Sequence, residues 1–168
     1  MEMKNKHIYA IDLVLIIGSL ISVLFLVNYS TPLVISPLNN YETTETAILF
    51  SIEKADSILI DDNSDFTTPE EYSVSDGAEI NLKPGIYYWK AVGISSSETR
   101  TLTINSEIDL RLEKLDNGNY DVVNAGNTRL NVEAYNGTKL VDEFKLDVSE
   151  KEVSSGNKFI GSQGDENE

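Results

Sequence analysis

The sequence contains no cysteine, which excludes disulfide bridges, thiolate metal sites and cysteine nucleophiles. Its single histidine is His7, six residues from the start. That removes most histidine-based metal centres and any Ser-His or Cys-His catalytic pair. Positive charge is scarce as well: 13 Lys and Arg stand against 28 Asp and Glu, a formal net charge of −15. No basic patch of the kind a phosphate backbone requires can be assembled, so nucleic acid is excluded as a partner. What remains is 168 residues and 18.7 kDa, enough for one ordinary domain or two small ones.

The most informative stretch is Ile8 to Val27, which carries one charge, Asp12. Twenty helical residues rise about 30 Å, the hydrocarbon thickness of a bilayer. The uninterrupted apolar run, Leu13 to Val27, is shorter, so a full span takes in Asp12 near its first turns, close to the interface where a charge costs least. A cleaved signal peptide is the rival reading, because its apolar region is also short. The best cleavage position, after Ser30, puts Asn28 where a small residue is wanted, which favours an uncleaved anchor over residues 8–28. Lys4 and Lys6 precede the segment and no Lys or Arg follows it until Lys54. The positive-inside rule therefore places residues 1–7 in the cytoplasm and the bulk of the chain outside. Residues 1–31 hold two acids and two bases, so residues 32–168 carry the whole −15. Gly18 and Ser22 form a small-xxx-small pair, and with Asp12 they are the candidates for packing against another membrane helix. A plain lipid anchor is the simpler reading of the same residues.

Beyond the helix the pattern changes to short alternating runs split by Gly, Asn, Asp and Pro. Such spacing predicts an all-β outer region, a sandwich or barrel. Strands are expected near 33–38, 47–52, 57–60, 71–74, 79–82, 86–93 and 99–104. A second set is expected near 108–115, 120–124, 130–135 and 139–148, with a short one at 158–160. Asp61-Asp62-Asn63, Asp76-Gly77 and Pro84-Gly85 are turn formers, and Asp116-Asn117-Gly118-Asn119 and Asn136-Gly137 are hairpin turns. Residues 29–36 join the helix to a first module at 37–105, a smaller module covers 106–160, and 161–168 form an acidic tail without fixed structure.

The run Ile80-Asn81-Leu82-Lys83-Pro84-Gly85-Ile86-Tyr87-Tyr88-Trp89-Lys90-Ala91-Val92 resembles the E–F corner and F strand of a fibronectin type III domain, and the stretch from Ile58 to Thr67 resembles the strand C region of such modules. The resemblance implies a β-sandwich whose signature residues here are Leu82, Pro84, Gly85, Tyr87, Tyr88 and Trp89. Tyr87 or Tyr88 is then the corner tyrosine whose hydroxyl bonds back to the backbone. Tryptophan on this strand departs from the family pattern. Alternation puts Tyr87, Trp89 and Ala91 on one face and Ile86, Tyr88 and Lys90 on the other, and Tyr88 or Trp89 is expected in the core. Asp121-Val122-Val123-Asn124-Ala125-Gly126-Asn127 resembles a pattern of small immunoglobulin-like modules on cell surfaces. The ensemble is similar to prokaryotic surface proteins with an N-terminal anchor.

Two acidic patterns bear on chemistry. Asp61, Asn63 and Asp65 match the first three ligand positions of a calcium loop, but Phe66 stands where the loop needs glycine and Tyr72 where it needs glutamate. A solvated turn is the simpler reading, with weak calcium binding as the alternative and no other cofactor implied. Paired carboxylates for glycoside hydrolysis need a cleft and contrasting environments, and no pair stands out. The expectation is a non-catalytic protein of the cell membrane, single-pass, serving binding, adhesion or structure at the surface. The alternatives are an accessory subunit of a membrane or envelope complex that associates through its helix, or a glycan- or calcium-binding module. The partners implied are the lipid bilayer and another membrane or surface protein.

Overall fold

The computed structural model describes residues 3–74 and 77–164, with helix side chains described from Ile8 to Leu26. Among the described residues a single helix, α1 (Met3–Ser30), is followed only by strands. The first eight are β1 (Leu33–Ser36), β2 (Tyr41–Thr43), β3 (Ala47–Glu53), β4 (Ser57–Asp61), β5 (Glu70–Ser73), β6 (Ala78–Asn81), β7 (Gly85–Val92) and β8 (Arg100–Ile104). Six more complete the chain: β9 (Leu110–Lys114), β10 (Tyr120–Asn124), β11 (Leu130–Asn136), β12 (Lys139–Leu146), β13 (Lys151–Ser154) and β14 (Lys158–Gln163). They form four sheets, ordered β1-β3-β6, β2-β8-β7-β4-β5, β13-β10-β9 and β12-β11-β14. The protein is thus mostly β with one N-terminal apolar helix, as the hydrophobic periods predict.

Contacts divide the chain into two compact units. The first comprises residues up to Leu38 with Phe50–Ala78 and Tyr88–Arg100; the second comprises Asn39–Leu49, Glu79–Tyr87 and the chain from Thr101 onward.

In the first unit, β4 is central, pairing antiparallel with β5 (Ile58↔Tyr72) and with β7 (Ile60↔Trp89). Residues that alternate inward on these strands are the apolar ones. Ile58, Ile60, Trp89 and Ala91 are buried, and so is Phe50 of β3. The Phe50 and Trp89 rings meet edge to face, 5.0 Å apart at 86°. Such a pair adds about 0.5–1.5 kcal/mol beyond its burial, and here it packs one sheet on the other. Trp89, not Tyr88, is the core aromatic of β7; Tyr88 is half-buried.

In the second unit, β10 lies between β9 and β13, and β11 between β12 and β14. Their inward residues Val122, Leu130, Val132 and Leu146 make the core, with Leu110, Tyr120, Phe144 and Phe159 against it. Tyr120 and Phe159 meet edge to face at 5.8 Å. The hairpins fall where the turn residues predict: Gly118 (φ 86°) joins β9 to β10 and Gly137 (φ 65°) joins β11 to β12, both in the left-handed region that suits glycine.

The helix expected to residue 28 runs to Ser30, and the strand expected near 33–38 is β1, starting at Leu33. The structure departs from the sequence expectation at three places. Two strands are additional, β2 and β13. β2 has three residues and pairs parallel to β8, too short to display a period. β13 reads Lys-Glu-Val-Ser and has its first three residues exposed, the polar character of an edge strand. Residues Gly161–Gln163 are not tail, because β14 continues to pair there, ending at Leu130↔Gln163. Residues 165–168 of the expected tail, and Asp76 of the expected turn, lie outside the described residues.

Candidate functional site

Three groups of residues compete for functional attention: the apolar helix, the acidic loop after β4 and a pocket beside the Asn124 turn.

The helix presents Ile8–Leu26 as one apolar stretch, and every described side chain in it is exposed. Among the packing candidates, Ser22 donates its hydroxyl to the Gly18 carbonyl at 2.9 Å, and Ser19 donates to Ile16 at 2.9 Å. Both hydroxyls are thereby satisfied within the helix. At about 100° per residue, Gly18 and Ser22 lie about 40° apart, whereas Asp12 is about 120° round from Gly18. The structure therefore gathers Gly18 with Ser22 and leaves Asp12 on another face, nearer Ser19.

The acidic loop closes on its own backbone. Asp61 is buried at the end of β4. Its Oδ1 accepts from the Asn63 amide at 3.0 Å and its Oδ2 from the Thr68 amide at 2.9 Å. Asn63 Oδ1 in turn accepts from the Asp65 amide at 3.0 Å. Burial pushes the Asp61 carboxyl up, but the amides of Thr68 and Asn63, joined by Asp62, outweigh it and hold the group below the ordinary carboxylate range. Asp61, Asn63 and Asp65 are thus brought together as successive side-chain-to-amide turns. Among the described residues no three His, Asp or Glu side chains are grouped so as to hold a metal ion.

The signature residues of the β6–β7 corner take distinct roles. Leu82 is buried and its amide donates to Thr46 O at 2.9 Å. Pro84 and Gly85 turn the chain into β7, and the Tyr87 hydroxyl donates to Lys83 O at 3.0 Å. Tyr87 rather than Tyr88 therefore makes the corner bond.

The Asn124 turn closes on a buried amide. Asn124 is 1% exposed. Its Nδ2 donates to Thr128 O at 2.8 Å and Leu146 O at 3.1 Å, while its Oδ1 accepts from the Gly126 amide at 3.0 Å. Gly126 is required by space: a Cβ there would fall 2.2 Å from Glu107 O. Asn127 Oδ1 accepts from the Glu107 amide at 2.7 Å, and its Nδ2 donates to Thr44 O at 2.7 Å and Asn105 O at 2.9 Å. The run from Asp121 to Asn127 thus owes its pattern to backbone closure.

Beside this turn lies a pocket of about 320 Å³ lined by Lys83, Pro84, Asn127, Thr128, Arg129, Asp147 and Val148. Arg129 Nε donates to Asp147 Oδ1 at 2.6 Å. Arg129 holds the Asp147 carboxyl below its ordinary range despite some burial, and Lys83 adds to this. An acid kept ionised in this way has no proton to donate at neutral pH. Thr128 Oγ1 is buried without a hydrogen-bond partner. The pocket brings one carboxylate and two cations together, not two acids in contrasting surroundings. Nothing in the sequence marked it, because Lys83, Arg129 and Asp147 are far apart in the chain and meet only through packing.

No family model matches the chain, and no curated protein matches it. Among solved structures, the crystal structure of the class 5 fimbriae chaperone CfaA is similar at 12% identity, covering 80% of this chain and 92% of that one, with a TM-score of 0.28. That superposition is too loose to carry an argument.

Proposed function

We propose that this chain is a single-pass membrane protein, its N-terminus cytoplasmic, that displays a fibronectin type III-like module and a smaller immunoglobulin-like module outside the membrane in a non-catalytic binding, adhesive or structural role. The observation that carries the reading is the uncovered helix. Leaving one Leu, Ile, Val or Phe side chain in water costs about 1.5–3 kcal/mol relative to burial. A stretch of fourteen such large side chains, from Ile8 to Leu26 and counting Tyr9, sums to tens of kcal/mol. A folded domain commands only about 5–15 kcal/mol of stability in total, so this surface needs an apolar environment or removal. The bilayer supplies the first; cleavage as a signal sequence supplies the second.

The flanking charges support the orientation, with Lys4 and Lys6 on one side and no base until Lys54 on the other. The Tyr87–Lys83 corner bond and buried Leu82 support kinship of the first module with fibronectin type III domains. The role is read as binding or structural because the side chains of the Asp61 and Asn124 turns are spent on closing the backbone.

Full-length protein tagged at both ends and treated with protease from outside intact cells tests the reading. The expected result is loss of the C-terminal tag with a membrane-bound fragment keeping the N-terminal tag. Release of a C-terminal fragment into the medium would mean a cleaved signal and overturn the anchor; protection of both tags would overturn the orientation.

A further inference from the structure

We infer that the outer face of β1, through Leu33 and Ile35, rests in the headgroup layer of the bilayer next to α1, so that the first unit is held on the lipid surface and not on a free tether. This rests on the reading of α1 as a membrane span.

Three observations carry it. First, β1 is an edge strand whose polarity is inverted. Leu33 and Ile35 are 54% and 51% exposed, while Val34 and Ser36 between and after them are half-buried. Leu38 just beyond is 67% exposed. A half-buried antiparallel strand ordinarily puts its large apolar residues inward, and an edge strand ordinarily carries charge outward to discourage association. β1 does neither.

Second, the strand has nowhere distant to go. Only Thr31 and Pro32 separate it from the helix, and Pro32 is buried. Three residue steps reach at most about 10 Å. The apolar run ends at Val27, and the three further helical residues rise about 5 Å, close to the depth of the headgroup layer. The start of β1 is therefore held within about 15 Å of the hydrocarbon edge, in reach of the headgroups.

Third, the charge pattern agrees. From Leu13 through Leu38 no Asp, Glu, Lys or Arg occurs, although charged residues make up 24% of the chain and the net charge is −15. The absence of charge continues past the apolar helix to the end of this strand region. A lipid interface disfavours acids near its phosphates and accepts apolar side chains, which accounts for both features together.

Because the chain has no native cysteine, single-site labelling is clean. Full-length Ile35→Cys, Leu33→Cys, Leu20→Cys and Asn117→Cys are labelled with an environment-sensitive nitrobenzoxadiazole dye and placed in phosphatidylcholine nanodiscs. Quenching by headgroup-nitroxide lipid is compared with quenching by aqueous iodide. The expected result is at least about twofold stronger lipid quenching at positions 33 and 35 than at Asn117→Cys, with Leu20→Cys shielded from iodide. If positions 33 and 35 match Asn117→Cys while Leu20→Cys is lipid-shielded, the span stands and this inference falls. Shielding of 33 and 35 from iodide without lipid quenching would mean that a protein surface covers β1, and would also overturn it. Loss of shielding at Leu20→Cys takes down the span and the inference together.

Discussion

Two loops in this molecule use the same device for opposite ends. After β4, the oxygens of Asp61 and Asn63 accept hydrogen bonds from nearby amides. After β10, Asn124 does the same with the Gly126 amide. The first loop lies largely at the surface: Asp61 itself is buried, but residues Asp62 to Asp65 are exposed, so water competes for the Asn63 Oδ1 bond. The second is closed: Asn124 is 1% exposed and also donates to the Thr128 and Leu146 carbonyls. A hydrogen bond contributes modestly where water can take its place, but a buried group left unpaired costs its full desolvation. Similar residue patterns thus have unequal weight, and burial decides which is structural.

The comparison is most sharply tested at Asn124. Asn124→Ala strands two carbonyls and one amide in a dry site, and should destabilise the second unit by about 3 kcal/mol. Urea unfolding of the full chain in detergent measures it; a loss below about 1 kcal/mol would mean that water enters the turn.

A smaller loss is expected from Asp61→Asn, which turns one of two acceptor oxygens into a donor facing an amide. Its pH dependence is the discriminating part. The folded carboxyl is held below its unfolded value of about 3.9. Asp61 therefore stabilises the native state fully above that value, and the contribution disappears as pH falls through the lower folded value. The stability difference between the native chain and Asp61→Asn should be constant from neutral pH down to about pH 5 and shrink below pH 4. A difference that grows on acidification would contradict the hydrogen-bonding arrangement.

The smallest effect belongs to Asn63→Ala, which removes one exposed acceptor and should stay within about 0.5 kcal/mol. If its thermal unfolding matched that of Asn124→Ala, exposure would not be what separates the two loops.

The parts of the fold that were legible from residues are those governed by local chemistry. The helix announced itself because an apolar run of that length has no other stable backbone arrangement away from water. Gly118 and Gly137 marked their hairpins because few other residues adopt positive φ cheaply. Strand positions from Ala47 to Ile104 were close because one buried face forces alternation. β13 stayed hidden because Lys151, Glu152 and Val153 are all exposed and show no alternation, and the end of β14 because Gly161, Ser162 and Gln163 look like tail residues until they pair with β11. The choice between Tyr87 and Tyr88 also lay beyond the sequence, since both stand near the corner and only the path of the chain decides which hydroxyl reaches Lys83 O.

By itself, then, the sequence determined a charge-poor apolar helix ahead of an acidic all-β region, and it excluded disulfide and thiolate chemistry. These follow from composition and period, which need no knowledge of neighbours. Tertiary structure alone decided that Asn124 is a buried keystone while Asn63 is a surface turn, that Arg129 meets Asp147 beside Lys83, and that β1 carries its leucine and isoleucine outward. Each of these depends on which segments, distant in sequence, exclude water from one another, and the cost of an unpaired polar group or an exposed apolar one is set only once that exclusion is known.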